Sequence, residues 1–190
     1  IRRGKLSTHK KFGESTAVLA GNSLLTLAFE ILSDKSLLLK ENTKVKLINL
    51  ISECSGHTGI AGGQYLDLNY ERKKIIKKKI IDMQIKKTGK LFAFCCIAPA
   101  IISNKNKKVI RLFEKIGYEI GLLFQITDDL IDYKGIARKA GKKTKKDEKK
   151  GKATLISLLG YKNTIKYTSK IKNNILNKIN YYGKKSESLK

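Results

Sequence analysis

The stretch from Val109 to Tyr133 constrains the fold more than any other, because it is strongly apolar, free of proline and closes on three carboxylates. Ile110, Phe113, Ile116, Ile120, Leu123, Ile126, Leu130 and Ile131 recur at three- and four-residue steps, which predicts an amphipathic α-helix with one buried face. On such a helix Gln125, Asp128, Asp129 and Asp132 form a single polar stripe. Carboxylates one turn apart repel each other and weaken the helix. A hard divalent cation removes that cost, and Mg²⁺ typically joins one or two carboxylates to a substrate phosphate. Two readings stand: an acidic helix end facing water, or a Mg²⁺-diphosphate site on a rigid helix. The second gains weight because the acids follow an apolar stretch, and because acids are scarce, 16 against 41 Lys and Arg.

The 190 residues include one proline and no tryptophan, and no segment alternates polar and apolar residues cleanly over more than a few positions. The expectation is a single all-α domain over residues 1–190. No run of about 18 apolar residues is evident, so no transmembrane segment is expected. The start, Ile1-Arg2-Arg3-Gly4, has no methionine and no signal-peptide core, and suggests a piece whose N-terminal part is absent.

The formal charge of +25 raises the question of nucleic acid. Only five of the basic residues are Arg, however, and the lysines are scattered among Ile and Asn throughout. Sequence-specific DNA readers favour Arg. No helix-turn-helix, zinc-finger or aromatic RNA-binding pattern is present, so no specific nucleic-acid partner is expected; a basic polyanion-binding module remains an alternative. Cys54, Cys95 and Cys96 form no C-x-x-C pair and read as small buried residues in a reducing compartment. His9 and His57 form no metal pattern.

In chain order, Ser7-Thr8 offers a helix N-cap, and Phe12 to Leu32 reads as a central, mostly buried helix. A second helix is expected from Thr43 to about Leu66, although Gly56, Gly59, Gly62 and Gly63 each cost about 1 kcal/mol relative to alanine inside a helix. Tight packing and a close ligand explain those glycines equally well; Gln64 and Asp67 follow on one face. From Glu71 to Thr88, lysines on one side and isoleucines on the other read as a solvated helix. Lys87-Thr88-Gly89 differs, because it opens the apolar segment Leu91–Ile102, where Pro99 is a candidate kink or stop. Residues 135 to 152 read as a basic loop, and equally as a cationic lid over a diphosphate. Ala153–Gly160 and Tyr161–Tyr182 complete the helices, with a frayed end.

Several blocks together resemble the trans-type isoprenyl diphosphate synthases: Arg2-Arg3-Gly4, Thr8-His9-Lys10-Lys11-Phe12-Gly13-Glu14, Ala20-Gly21, and Gly62-Gly63-Gln64 with Asp67. Lys87-Thr88-Gly89, Phe124-Gln125-x-x-Asp128-Asp129-x-x-Asp132, Gly141-Lys142, and Asp147 with Gly151-Lys152-Ala153-Thr154 continue the series in the family's order. The T-H-x-K-F-G-E block is similar to the short-chain bacterial branch, the farnesyl and geranylgeranyl diphosphate synthases. The resemblance implies antiparallel helices around a central cavity, here the C-terminal two-thirds of that fold, in a cytoplasmic homodimer. It implies a prenyltransferase that ionises an allylic diphosphate (dimethylallyl or geranyl) with Mg²⁺ and adds isopentenyl diphosphate to the cation.

By the same resemblance Asp128, Asp129 and Asp132 belong to the second aspartate-rich, Mg²⁺-binding motif, with Asp129 alternatively orienting its neighbours. Arg2, Lys87 and Lys142 resemble the cations on the allylic diphosphate, and Arg3 the one on isopentenyl diphosphate. Thr88 and Gln125 resemble the polar groups beside the allylic cation. Lys152 and Asp147 resemble residues of the closing loop, Asp147 reaching a metal through water, while Gln64 and Asp67 line the cavity. The first aspartate-rich motif and the basic isopentenyl-diphosphate motif, both expected before Arg2, are missing; Leu6 and Asn22 stand where proline and aspartate are usual. The 190 residues alone are therefore expected to be inactive and the parent active, and product length is not legible. Alternatives from other classes are a non-catalytic synthase subunit or decayed paralogue, and another class I terpenoid enzyme.

Overall fold

The computed structural model describes residues 4–134 and 151–189, and among them there is no β-strand. The helices are α1 (Thr8–Phe12), α2 (Glu14–Ser33), α3 (Glu41–Ser55), α4 (Ile60–Asn69), α5 (Lys77–Gln84), α6 (Lys90–Ile102), α7 (Lys107–Lys134), α8 (Leu155–Leu159) and α9 (Tyr161–Asn180). A π-helical turn, Ile85–Gly89, joins α5 to α6 without a break, and a 3₁₀ helix, Gly183–Leu189, closes the chain where fraying was expected.

Helix α7 is the axis of the molecule. Its apolar face carries Ile116, Leu122 and Ile126 into a core shared with Ile80 of α5, Leu155 of α8 and Ile171, Ile175 and Ile179 of α9. A second cluster joins Leu47 of α3 to Ile97 and Ile101 of α6. Burying each such side chain contributes about 1.5–3 kcal/mol. Helices α6 and α7 form a hairpin whose turn is set by local chemistry. Asn104 adopts the left-handed conformation at φ 49°, which Asn tolerates better than most residues. The Asn106 carboxamide then accepts from the Val109 amide at 3.0 Å, capping one of the free N–H groups of α7. Pro99 neither ends nor interrupts α6, which runs on to Ile102. At the other end, Thr154 and Ser157 make a reciprocal capping box that starts α8.

Three expectations are corrected. The helix expected over Thr43–Leu66 is two helices: the chain breaks at Gly56, extended at ψ −159°, and resumes after Gly59, so Gly56 and Gly59 escape the helical glycine cost while Gly62 and Gly63 remain inside α4. Helix α2 forms over the expected stretch but buries none of its residues; Leu19 and Leu24 are 64% and 69% exposed. Its main neighbours among the described residues are α1 and α3, too few to cover a helix that is apolar nearly all round. By length and composition α2 is also apolar enough to cross a bilayer, which the search for an uninterrupted apolar run passed over. Finally, Cys54 is buried, but Cys95 is exposed and Cys96 half-buried; adjacent helical residues point about 100° apart, so the two cannot both face inward.

Candidate active site

The π-turn organises the site. A π-turn widens the helix locally, re-aims the side chains it carries, and occurs often at functional sites. Here it carries Lys87 and Thr88. Two glycines let other helices close on it. A Cβ on Gly63 of α4 would lie 2.2 Å from the Lys87 nitrogen, and one on Gly121 of α7 would lie 2.5 Å from Cα of Gly89. Backbone therefore meets backbone on both sides of the turn, which only glycine permits. Gly63 thus serves close packing at the segment that bears Lys87.

Five of the residues singled out from the sequence meet as hydrogen-bonded partners. The Lys87 ammonium pairs with Asp67 Oδ2 of α4 at 2.6 Å. The Thr88 hydroxyl donates to Gln125 Oε1 at 3.2 Å. Gln125 Nε2 donates to Asp129 Oδ1 at 2.9 Å. The other oxygen of that carboxylate, Oδ2, accepts from Gln84 Nε2 at 3.1 Å. Asp67, Gln84, Lys87, Gln125, Asp129 and Lys152 line one small internal cavity. Lys152 also borders a larger cavity, about 630 Å³, which Asp129 and Asp132 share. The Arg72 amide donates to the Gly151 carbonyl at 2.7 Å, anchoring the strand of chain that carries Lys152.

The three aspartates of α7 differ in setting. Asp128 is half-buried, whereas Asp129 and Asp132 are 6% and 4% exposed. Among the described residues no three Asp, Glu, His or Cys side chains converge on one metal position. Asp128 and Asp132 stand one helical turn apart with hard oxygen donors, which fits a Mg²⁺ that takes its remaining ligands from water and phosphate. Asp129, holding two amides, fits the orienting role better than the ligand role.

Gln64 is exposed on α4 and lines neither cavity. Arg2, Arg3, Lys142 and Asp147 lie outside the described residues. Sequence reasoning missed Gln84, which is 2% exposed. Its signal was a polar residue four positions after Ile80 on the apolar face of a lysine-rich helix. Gly117 and Gly121 were also passed over; both press α7 against the segment from Gly89 to Ala93.

The polyprenyl synthetase family model matches residues 1–190. A farnesyl diphosphate synthase of Micrococcus luteus is 41% identical over 159 residues, covering 84% of this chain and 54% of that protein. One from Bacillus subtilis is 37% identical over 160 residues, with the same coverage of 84% and 54%. Among solved structures, a Helicobacter pylori geranyltransferase complexed with magnesium and isoprenyl diphosphate superposes with a TM-score of 0.84 at 31% identity, covering 95% of this chain and 58% of its own. The chain spans about half the length of the curated relatives it matches.

Proposed function

The chain belongs to the polyprenyl synthetase family, and on that premise we propose that the complete protein is a chain-elongating prenyltransferase. It condenses isopentenyl diphosphate with dimethylallyl or geranyl diphosphate to farnesyl or geranylgeranyl diphosphate. The observation that carries this reading is the linked set Thr88–Gln125–Asp129 beside the Lys87–Asp67 pair. It puts the Lys87 ammonium and the Thr88 hydroxyl on one π-turn, tied to α4 through Asp67 and to α7 through Gln125.

The reaction breaks the allylic carbon–oxygen bond, joins the freed carbon to the double bond of isopentenyl diphosphate, and releases one proton to the departing diphosphate. Mg²⁺ held by Asp128 and Asp132 would offset the charge that grows on the leaving diphosphate. The chain's own residues position and stabilise. Lys87, steered by Asp67, presents a point charge to the allylic diphosphate. Thr88 gives its one proton to Gln125, so its oxygen offers lone pairs towards the allylic carbons. Lys152 adds a second cation from the 151–154 segment. Following the family motif, Arg2 and Lys142 join Lys87 on the allylic diphosphate, Arg3 holds isopentenyl diphosphate, Gln64 and Asp67 line the cavity, and Asp147 reaches the metal through water.

The open apolar side of α2 supports a homodimer, and the three free cysteines support a cytoplasmic location. The test is Mg²⁺-dependent incorporation of labelled isopentenyl diphosphate by the complete protein with each allylic diphosphate, followed by chain-length analysis. A C15 or C20 product that disappears in Asp128→Ala is expected. No incorporation from any allylic substrate would overturn the reading in favour of a non-catalytic subunit or a cyclase.

A further inference from the structure

We propose that Gln84 is a positioning residue of this site, acting through Asp129 to set the polarity of Gln125 and Thr88; the inference rests on the prenyl-transfer reading. An ionised carboxylate only accepts hydrogen bonds, so any amide facing Asp129 must present N–H. Gln125 does so, which turns its carbonyl to Thr88 and commits the single Thr88 proton to that carbonyl. The direction of every bond in the chain therefore follows from Asp129, and Asp129 is held from its other side by Gln84. The Gln84 N–H fixes Oδ2 while Gln125 meets Oδ1, so removing it loosens the acceptor that defines the orientation of Gln125.

Gln84 is not explained by packing. It is 2% exposed, and its carbonyl oxygen has no hydrogen-bond partner among the described residues. An apolar side chain would fill the same space without leaving a buried acceptor unmet. The bond to Asp129 is what the amide adds. Its place in the chain also suits the role, because Gln84 is the last residue of α5 and directly precedes the π-turn. One hydrogen bond thereby ties the start of the turn carrying Lys87 and Thr88 to the carboxylate of α7 that orients Gln125.

The test is steady-state kinetics of the complete protein carrying Gln84→Met, Gln125→Met, or both. Gln84→Met is expected to lower kcat about ten-fold or more while leaving KM for both diphosphates within about two-fold, the signature of misplaced rather than missing groups. Because the two residues act in series, the double variant is expected to be no slower than Gln125→Met alone. Wild-type kcat in Gln84→Met, or single effects that multiply in the double variant, would overturn the proposal. A readout independent of turnover is hydrogen exchange at the Gln125 side-chain amide, expected to lose protection in Gln84→Met; unchanged protection would also overturn it. If the wild-type protein condenses no substrate, the functional reading fails while the Gln125 amide still decides the clamp. Should Gln84→Met not fold, Gln84→Asn, which keeps the amide but withdraws it from Asp129, is expected to give the same kinetic pattern.

Discussion

Helices α2 and α7 are both long and both carry many apolar residues, yet they meet opposite fates. Helix α7 is pressed on three sides by α6, α9 and the π-turn and buries Ile116, Leu122 and Ile126. Helix α2 leaves Val18, Leu19, Leu24 and Ile31 more than half exposed. What separates them is the shape of the opposing surface. Gly117 and Gly121 let α7 approach its neighbour to backbone contact, whereas nothing lies within 4 Å of a Cβ added to Gly21 on α2. An apolar pattern thus states that a helix seeks a partner, while small residues at the seam mark where a partner within the same chain has been met.

The largest expected contrast is between core truncations. Ile126→Ala, at a position with no exposure, is expected to cost about 2–5 kcal/mol in denaturant unfolding. Leu24→Ala is expected to change the stability of the single chain by less than about 0.5 kcal/mol. A glycine pair gives a smaller contrast with opposite signs. Gly121→Ala drives a methyl into the Gly89 backbone and is expected to lower stability by about 1–3 kcal/mol. Gly21→Ala, in open space on a helix interior, is expected to raise it by up to about 1 kcal/mol at dilute protein. Destabilisation by Gly21→Ala would mean that something presses on α2 and would break the comparison.

The same patterns explain what could be read in advance. The α7 helix, its acidic stripe and the Lys87-Thr88 turn were legible because apolar period and charge scarcity act locally. The break between α3 and α4 was not, because four glycines are compatible both with a strained helix and with none. Burial of α2 was misjudged since periodicity reports apolarity and not what covers it. Gln84 escaped notice because its partner, Asp129, lies 45 residues away and joins it only through packing.

Two smaller effects sharpen the contrast. If α2 seats a second copy of the chain, Leu24→Lys is expected to shift sedimentation from dimer to monomer while leaving the melting temperature at low concentration nearly unchanged; an unaltered dimer would move the interface elsewhere. Cysteine labelling tests burial site by site. Burial pushes the Cys54 and Cys96 thiols up from the ordinary value, so both are more fully protonated at neutral pH. Exposed Cys95 is expected to react first with a thiol reagent, and Cys54 and Cys96 to lag until the pH is raised.

The claim that α7 and the π-turn form a diphosphate site is tested most directly by calorimetric binding of a non-ionisable allylic thiodiphosphate to the complete protein, with and without Mg²⁺. Binding is expected to tighten on adding Mg²⁺ in the wild-type protein, and this gain is expected to vanish in Asp128→Ala but persist in Asp129→Asn. Equal binding with Mg²⁺ and with chelator, or a gain that survives Asp128→Ala, would contradict the account.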